Sequence, residues 1–283
     1  MSATTPDLLA AIVAGARRIS DVRRSQMPEA ALERAAAARH ADGARFVSAL
    51  LDSPSPRVIA ECKRRSPSRG ILRGDYDAAA LALSFESSGA AAISVLTEPT
   101  FFDGSLDDLQ RVRAAVSLPL LRKDFIVTRY QVLEAAAAGA DAVLLIVGAL
   151  DQPALVELLR DAAQLGLAAL VEVHDRAELA RAVDAGAHVI GVNSRNLRTL
   201  SVDPQVHDDL IAVMPREAIA VAESGLGSAA DLYRLEAAGY HAFLVGERLI
   251  THVSPGAALR QLREAAASSM SSGLPRAKSR GDA

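Results

Sequence analysis

One phrase recurs along the chain, and it limits the possible folds more than any other feature. Five segments each read as a helix end, a glycine and a short apolar run: SSGAAAISVL, AAGADAVLLI, QLGLAALVEV, DAGAHVIGVN and AAGYHAFLVG. The glycines suit the left-handed residue that follows a helix, and they are Gly89, Gly139, Gly166, Gly186 and Gly239. The apolar run after each glycine is typical of a parallel strand that is buried on both faces.

Helical stretches alternate with these apolar runs. Apolar residues recur at spacings of three and four in segments such as YDAAALALSFESSG and PALVELLRDAAQLG. With RVIAECK, LPLLRKDF and AIAVAESG included, eight candidate strands begin near residues 57, 91, 118, 142, 168, 188, 217 and 241. Eight alternations of strand and helix favour a closed (β/α)8 TIM barrel over an open doubly wound sheet. The predicted fold class is therefore α/β, a TIM barrel with an N-terminal helical extension.

The two ends of the chain differ from its repeating centre. Residues 1–52 contain two helical stretches, PDLLAAIVAGARRISDVRR and PEAALERAAAARHAD, each opened by a proline that suits a first helical turn. We expect them to pack on the barrel and to help close its mouth. Residues 53–266 form the predicted catalytic barrel. Residues 267–283 are small, polar and basic without periodicity, which predicts a disordered tail.

Composition limits the ligand and the location. Half of the residues are hydrophobic but only 4% are aromatic, so the predicted core is aliphatic. The net charge is −3 with both signs interspersed, which predicts no binding to nucleic acid or to a membrane surface. The single cysteine, Cys62, is expected to be a core thiol and fits a reducing compartment. Because the N-terminus lacks a secretory signal and no apolar window reaches about 20 residues, we expect a cytoplasmic protein.

Polar residues follow almost every predicted strand. Because (β/α)8 barrels build their active sites at the carboxyl ends of the strands, these residues should converge on one mouth. They are Glu61, Lys63, Thr97, Glu98, Lys123, Asp124, Glu172, Asn193, Arg195, Glu223, Ser224, Gly225, Gly246 and Glu247. Any one of them alone fits a solvated loop, but together they predict a charged pocket.

Glycines precede the helices that follow the last two strands, in AESGLGS and LVGERL. Free backbone N–H groups at helix starts bind anions, and these two loops form the recurrent phosphate site of the fold. Glycines that serve only tight turns are the alternative interpretation. Lys63 and Arg195 add separate positive regions, so the predicted partner is a small phosphorylated molecule that is anionic at more than one point. The six histidines are scattered without metal-ligand spacing, so no metal site is predicted.

Seven segments, in this order and spacing, carry a specific likeness: IAECKRRSPSRG, SVLTEPTFFDGS, LLRKDFIVTRYQ, LVEVHDRAEL, IGVNSRNLRT, VAESGL and LVGERL. They resemble the signature segments of the indole-3-glycerol phosphate synthases of tryptophan biosynthesis, and the likeness runs from about residue 7 to residue 265. The resemblance implies conversion of 1-(2-carboxyphenylamino)-1-deoxyribulose 5-phosphate to indole-3-glycerol phosphate with loss of CO₂ and water. It also implies that the reaction needs no cofactor.

The resemblance assigns catalytic roles to four residues. Lys123 matches the general acid that protonates the ketose carbonyl, and we expect burial and its neighbours to bring its charge toward neutral pH. Glu172 matches the glutamate that orients this acid and assists dehydration, and Glu61 matches a second catalytic carboxylate. The likeness leaves open which carboxylate takes the proton in dehydration. Lys63 matches a ligand for the anionic groups of the substrate that shares in acid catalysis.

Nine further residues match substrate-binding positions of the family. Asn193 and Arg195 match the pair that holds the sugar hydroxyls and an anionic group of the substrate. Phe102 and Phe125 match apolar positions beside the anthranilate ring, although from sequence alone each fits an ordinary core residue. The phosphate-side positions are matched by Ser66, Ser224, Gly225, Gly246 and Glu247.

Two other functions remain open at this stage. A sugar-phosphate isomerase of the same barrel type needs an acid and a base but no pocket for an arylamine. A non-catalytic barrel that binds a phosphosugar needs no acid at all. The pattern does not fix the oligomeric state, for which we expect a monomer or a weak homo-oligomer.

Overall fold

The computed structural model describes residues 7–271 and contains a closed barrel of eight parallel strands. Each strand pairs with the strands before and after it in the chain, and the first pairs with the last. The strands are β1 Val58–Cys62, β2 Ala92–Leu96, β3 Leu120–Lys123, β4 Ala142–Ile146, β5 Ala168–Val173, β6 Val189–Asn193, β7 Ile219–Glu223 and β8 Ala242–Val245. All eight begin within two residues of their predicted starts, so the TIM barrel is confirmed.

Helices cover the outside of the barrel between the strands. They are α4 Ala78–Ser87, α5 Leu106–Ala115, α6 Arg129–Ala138, α7 Gln152–Gln164, α8 Arg176–Asp184, α9 Gln205–Ile211, α10 Ala229–Ala238 and the single turn α11 Glu247–Ile250. Side chains of Asp, Ser or Thr cap most of their first turns and so satisfy backbone N–H groups that lack helical partners. The five recurrent glycines all have positive φ, between 73° and 119°, as predicted.

The N-terminal extension holds three helices where the sequence predicted two: α1 Leu8–Gln26, α2 Glu29–Ala37 and α3 Gly43–Asp52. Sequence reasoning missed α3 because a glycine at its start resembles a helix breaker. Gly43 is required there, since a Cβ atom would lie 2.8 Å from Gly166 O. The extension is fixed to α6 by the Tyr130 hydroxyl, whose single proton has two carbonyl acceptors within reach, Arg23 O at 3.1 Å and Met27 O at 3.0 Å.

The last helix, α12 Pro255–Ser271, corrects the expected start of the disordered tail. It packs on α4 and α10 and continues through residues 267–271. The rest of the predicted tail, 272–283, lies outside the described residues. No helix between residues 7 and 271 is both long and apolar enough to cross a membrane.

A fully buried arginine fixes the chain just after the strand that carries Lys123. Arg122 points outward from β3 toward α6, where its guanidinium lies 2.8 Å from Asp124 Oδ2 and 3.2 Å from Glu134 Oε2. It also donates to Thr97 Oγ1 at 3.0 Å. Because every one of these groups is buried, the cluster holds β2, β3 and α6 in one arrangement.

Cys62 also points outward, with its Sγ 3.7 Å from Ala78 O in the packing between β1 and α4. Burial and the nearby Glu61 raise the pKa of this thiol, so it stays neutral. It is the core thiol that the strand pattern predicted.

Replacing Arg122 with methionine should lower the free energy of unfolding by about 3–5 kcal/mol, because buried Asp124 loses its cation and buried Glu134 keeps only Arg23, 3.4 Å away. Arg160→Met makes the same chemical change on the exposed face of α7 and should shift stability by less than about 0.5 kcal/mol. Urea unfolding of both variants measures the difference. Equal, small effects would show that the cluster does not stabilise the barrel.

Candidate active site

A cavity of about 480 Å³ opens at the carboxyl ends of the barrel strands. Twelve of the thirteen residues that the sequence singled out for catalysis or binding line it. They are Glu61, Lys63, Phe102, Lys123, Phe125, Glu172, Asn193, Arg195, Ser224, Gly225, Gly246 and Glu247. Residues from opposite ends of the sequence therefore meet in one place.

Strand register explains why the charged side chains share the inside of the barrel. Residues directly opposite each other on paired strands point to the same face. Glu172 lies opposite Gly191, and Asn193 lies opposite Glu223. Since positions two apart on a strand also share a face, these residues of β5, β6 and β7 all point inward.

Lys123 lies between two glutamates at the closed end of the cavity. Its Nζ is 2.8 Å from Glu172 Oε2 and 2.5 Å from Glu223 Oε2. Burial works against the cation, but attraction to Glu172, Glu223 and Glu61 outweighs burial and raises the pKa of Lys123 above its ordinary value. The expectation that its neighbours tune Lys123 toward neutral pH is therefore wrong for the free protein. The expectation allowed for burial but missed the second carboxylate.

The two glutamates on Lys123 have unequal surroundings. Glu172 Oε1 accepts a hydrogen bond from Asn193 Nδ2 at 3.0 Å and lies 3.4 Å from His174 Nε2. Glu223 Oε1 is buried and has no hydrogen-bond partner within residues 7–271. Burial alone would raise the pKa of Glu172, but Lys123 and His174 hold that pKa well below the ordinary value.

The pKa of Glu223 shifts in the opposite direction from that of Glu172. Burial and repulsion from Glu172 exceed the attraction of Lys123 and raise the pKa of Glu223 to about 8. At neutral pH the site therefore holds an ionised carboxylate, a lysine cation and a protonated carboxyl group side by side. Such a set can both remove and supply a proton.

Sequence reasoning placed Glu223 at the end of its strand but gave it no role. The available signal was positional: β5 and β7 both carry a glutamate near the carboxyl end, in LVEVH and VAESG. A second signal was Gly191, because a Cβ there would collide with Glu223 Oε1. This glycine leaves the space into which the Glu223 carboxyl group fits.

A second ion pair lies at the carboxyl end of β1. Lys63 Nζ is 2.5 Å from Glu61 Oε1, and both side chains are largely buried. Gly246 gives this pair its room, since a Cβ there would collide with Glu61 Oε1. The cavity thus contains two lysines, one held by two glutamates and the other by one.

Three arginines surround the outer part of the cavity: Arg69, Arg195 and Arg248. Arg69 pairs with Glu247 at 2.7 Å, and Arg195 lies 4.0 Å from the same carboxylate. Arg195 is also fixed through its backbone N–H, which donates to Asn193 Oδ1 at 2.9 Å. The sequence prediction included Arg195 but missed the other two, which stand in loops where arginine is common.

The loop after β7 turns sharply beside these arginines. Ser224 and Gly225 have φ values of 63° and 66°, and the serine conformation is one that non-glycine residues rarely adopt. The expected supply of free N–H groups is smaller than the glycine pattern suggested, because Gly227 and Ser228 both donate to Asp231 Oδ2 at 3.0 and 2.8 Å. The capping box of α10 thus occupies part of this loop.

An aromatic pair lines another side of the cavity. The ring centroids of Phe102 and Phe125 are 6.3 Å apart. Glu98, which does not line the cavity, accepts hydrogen bonds from the N–H groups of Phe101 and Phe102 and so shapes the loop that carries the first ring.

Ser66 is the one predicted site residue that lies outside the main cavity. The short hairpin of Arg65–Ser66 with Gly70–Ile71 carries it over the mouth, where it lines a side cavity of about 60 Å³ with Leu8 and Ile12 of α1. Its buried hydroxyl has no hydrogen-bond partner in the described part of the chain. The side cavity shares six residues with the main one: Lys63, Phe102, Phe125, Arg195, Leu197 and Glu247.

No group of three or more His, Cys, Asp and Glu side chains among residues 7–271 has the arrangement that holds a metal ion. A closed parallel barrel with paired lysines and glutamates at the carboxyl ends of its strands has the fold and the site position of a TIM-barrel enzyme. Comparison with known sequences gives the family. The family profile described as indole-3-glycerol phosphate synthase matches residues 9–262, and the chain belongs to that family.

Named relatives agree with this assignment. The chain is 56% identical over 207 residues to an indole-3-glycerol phosphate synthase of Parafrankia sp. strain EAN1pec, with 73% of this chain and 77% of the relative covered. It is 51% identical over 257 residues to one of Leifsonia xyli, with 91% and 98% covered. A solved thiamine phosphate pyrophosphorylase from Pyrococcus furiosus shares the fold, with a TM-score of 0.56, 16% identity and coverage of 75% and 96%.

Replacing Gly191 with alanine should push the Glu223 carboxyl group away from Lys123. We expect a loss of about 1–3 kcal/mol in unfolding free energy from overpacking, together with a fall in kcat. Gly15→Ala is the matched control, because Gly15 lies in α1 with no atom within 4 Å of the new Cβ, and alanine there should be neutral or stabilising. Unchanged turnover in Gly191→Ala would show that the position of Glu223 is unimportant.

The stability contributed by Glu223 should depend on pH. Its pKa rises from 4.5 in the unfolded chain to about 8 in the folded chain, so the folded state loses stability as pH increases through this window. The variant Glu223→Gln, which mimics the protonated carboxyl group, should therefore match the wild type near about pH 5 and exceed it by a few kcal/mol near about pH 9. Urea unfolding at both pH values measures this. If the difference in unfolding free energy between the variant and the wild type is the same at both pH values, the pKa of Glu223 is not raised by folding.

Proposed function

We propose that this cavity converts 1-(2-carboxyphenylamino)-1-deoxyribulose 5-phosphate to indole-3-glycerol phosphate with release of CO₂ and water. The observation that carries the proposal is the Lys123 cation held between Glu172 and Glu223 at the closed end of a cavity with one aromatic and one cationic side. Family membership supports the same reaction, because the relatives named above are indole-3-glycerol phosphate synthases. The activity is that of a carboxy-lyase in tryptophan biosynthesis.

Lys123 acts in the first step, ring closure. The ring carbon that bears the carboxylate attacks the ketose carbonyl carbon, a carbon–carbon bond forms, and the carbonyl oxygen takes a proton from Lys123 Nζ. The Glu223 carboxyl group, 2.5 Å from Nζ, returns a proton to the lysine. Proton donation by a positioned acid typically accelerates a step by about 10²–10⁴-fold.

Decarboxylation follows and needs little from the protein. Loss of CO₂ returns the electron pair of the breaking bond to the six-membered ring and restores its aromaticity. The aromatic side formed by Phe102 and Phe125 excludes water from the ring during this step.

Dehydration completes the indole and requires both a base and an acid. Glu172 is the base in our proposal, because Lys123, Asn193 and His174 all favour its ionised form. It removes a proton from the new five-membered ring while Lys63 or Lys123 protonates the departing hydroxyl group. The Glu61 carboxylate orients Lys63 for this role.

The anionic groups of the substrate fit the opposite, cationic part of the cavity. Arg248 and the backbone of the loops after β7 and β8 face the phosphate in this proposal. Lys63 faces the carboxylate of the arylamine ring, and Arg195 with Asn193 faces the sugar hydroxyls. The phosphate and the carboxylate of the substrate then each contact a different cation.

The aromatic side of the cavity and its two separate sets of lysine and glutamate disfavour the sugar-phosphate isomerase. An isomerase moves one proton between two carbons and has no use for an apolar aromatic side or for two separate pairs of lysine and glutamate. A non-catalytic barrel would gain nothing from a lysine cation placed against two buried carboxylates, since burying such charges is costly.

We also propose that the protein works in the cytoplasm as a monomer or weak homo-oligomer that does not bind nucleic acid. The net charge of −3 and the lone buried thiol support this environment. Sedimentation over a range of protein concentrations tests the oligomeric state.

The reaction is tested by the rise in indole fluorescence with the carboxyphenylamino substrate, in the presence of EDTA. We expect turnover in the wild type and a loss of about 10²–10⁴-fold in kcat for Lys123→Ala and for Glu172→Gln. Glu157→Gln makes the same chemical change as Glu172→Gln on the exposed face of α7 and should retain full activity.

Two outcomes would count against the proposal. A wild type that binds the substrate without forming indole would favour the isomerase or the non-catalytic barrel. Turnover that stops on chelation would show that metal-dependent chemistry has been overlooked.

A further inference from the structure

A histidine and a glutamate next to the cavity contact no substrate in the mechanism above, and only the histidine has been given an indirect part in it. His174 follows β5 directly, two residues after Glu172, and is not among the residues that line the cavity. Its ring is largely buried, with 15% of the side chain exposed. Glu178 lies one turn into α8 and contacts the same ring.

The ring bridges two carboxylates. His174 Nδ1 is 2.9 Å from Glu178 Oε2, and Nε2 is 3.4 Å from Glu172 Oε1. The latter distance marks a charge contact, because Nε2 makes no hydrogen bond within residues 7–271. A ring with a carboxylate at each nitrogen is stabilised in its doubly protonated, cationic form.

Local structure fixes Glu178 firmly in this place. Asp175 caps α8 by accepting a hydrogen bond from the Glu178 N–H at 2.8 Å. In an ordinary capping box a glutamate at this position bonds the N–H of the capping residue. Here Glu178 Oε2 instead accepts from the N–H of His174 at 2.9 Å as well as facing its ring.

Gly148 leaves space for the other carboxylate oxygen of Glu178. A Cβ on Gly148 would lie 2.7 Å from Glu178 Oε1, so the glycine leaves room for the carboxylate. The turn Val147–Ala149, which packs against α8, carries no titratable side chain. Arg181, one turn further along α8, donates to Leu150 O at 2.6 Å and so faces away from the ring. Within the described part of the chain, the charged groups that contact the His174 ring are therefore those of Glu172 and Glu178.

We propose that His174 and Glu178 form a positioning pair that keeps Glu172 ionised and directed at Lys123 during proton transfer. This inference rests on the proposed function, because it assigns the pair a task within that reaction. The charges then alternate along one line of contacts from Glu178 through His174 and Glu172 to Lys123. Attraction to the two carboxylates outweighs burial and raises the pKa of His174 to about 10, so the ring remains charged over the working range.

The test compares the pH profile of kcat in the wild type and in His174→Gln. Glutamine retains a hydrogen-bond donor but not the charge, so Glu172 should become easier to protonate. An opposite charge at this distance lowers a carboxyl pKa by about 1–3 units, so the acid limb of the profile should move up by about that amount. Activity on the plateau above the limb should fall less than activity at acidic pH.

His188→Gln provides the matched control. His188 is exposed and lies immediately before β6, at the opposite end of the barrel, so its variant should reproduce the wild-type profile. An equal loss of kcat at every pH in His174→Gln would indicate a purely structural role and overturn the proposal. An unmoved acid limb would overturn it as well.

A second measurement does not depend on turnover. The pKa of His174 lies above its ordinary 6.5 in the folded chain, so its contribution to stability is complete below about pH 6.5 and is lost as pH rises toward 10. The stability advantage of the wild type over His174→Gln should therefore shrink across this window. If the wild type makes no indole but the advantage shrinks as expected, the proposed reaction fails while the charged pair stands. A constant advantage would contradict the pair itself.

Discussion

The site depends on one lysine cation that two buried glutamates share unequally. Lys123 lies 2.8 Å from one carboxylate and 2.5 Å from the other, yet within residues 7–271 only Glu172 has a further donor, Asn193, on its second oxygen. That asymmetry decides which carboxyl group keeps its proton, since burial disfavours two negative charges on one cation. The acid and base functions that we propose for the cavity rest on this difference in surroundings.

Barrel closure is what makes such a contact possible. Lys123 and Glu223 are separated by 100 residues and Lys123 and Glu172 by 49, so local structure cannot bring them together. The parallel register places them on the inner face near the carboxyl ends of β3, β5 and β7. The buried Arg122 cluster then holds the start of the next loop from outside, which limits how far Lys123 can move.

Much of this could be predicted from sequence, and the failures have physical causes. The strand positions followed from the glycine and apolar pattern, because that pattern reflects burial and a left-handed turn at each helix end. Strand-end reasoning and family likeness together found Lys123 and Glu172. The direction of the Lys123 pKa shift was wrong, since it depends on how many carboxylates reach one nitrogen, which no linear pattern records. Gly43 concealed a helix, and Ser66 was displaced by a hairpin too short to be recognised in sequence.

The charge state of Lys123 in the free protein tests the account most directly. The chain contains three lysines, Lys63, Lys123 and Lys278, so ¹³C labelling at the lysine ε-carbon gives a simple NMR spectrum that Lys→Arg variants can assign. We predict that the Lys123 signal keeps the chemical shift of the cation through pH 10.5, the ordinary lysine value, because Glu172 and Glu223 hold its proton. Titration of that signal near neutral pH would contradict the unequal sharing on which the proposed mechanism is built.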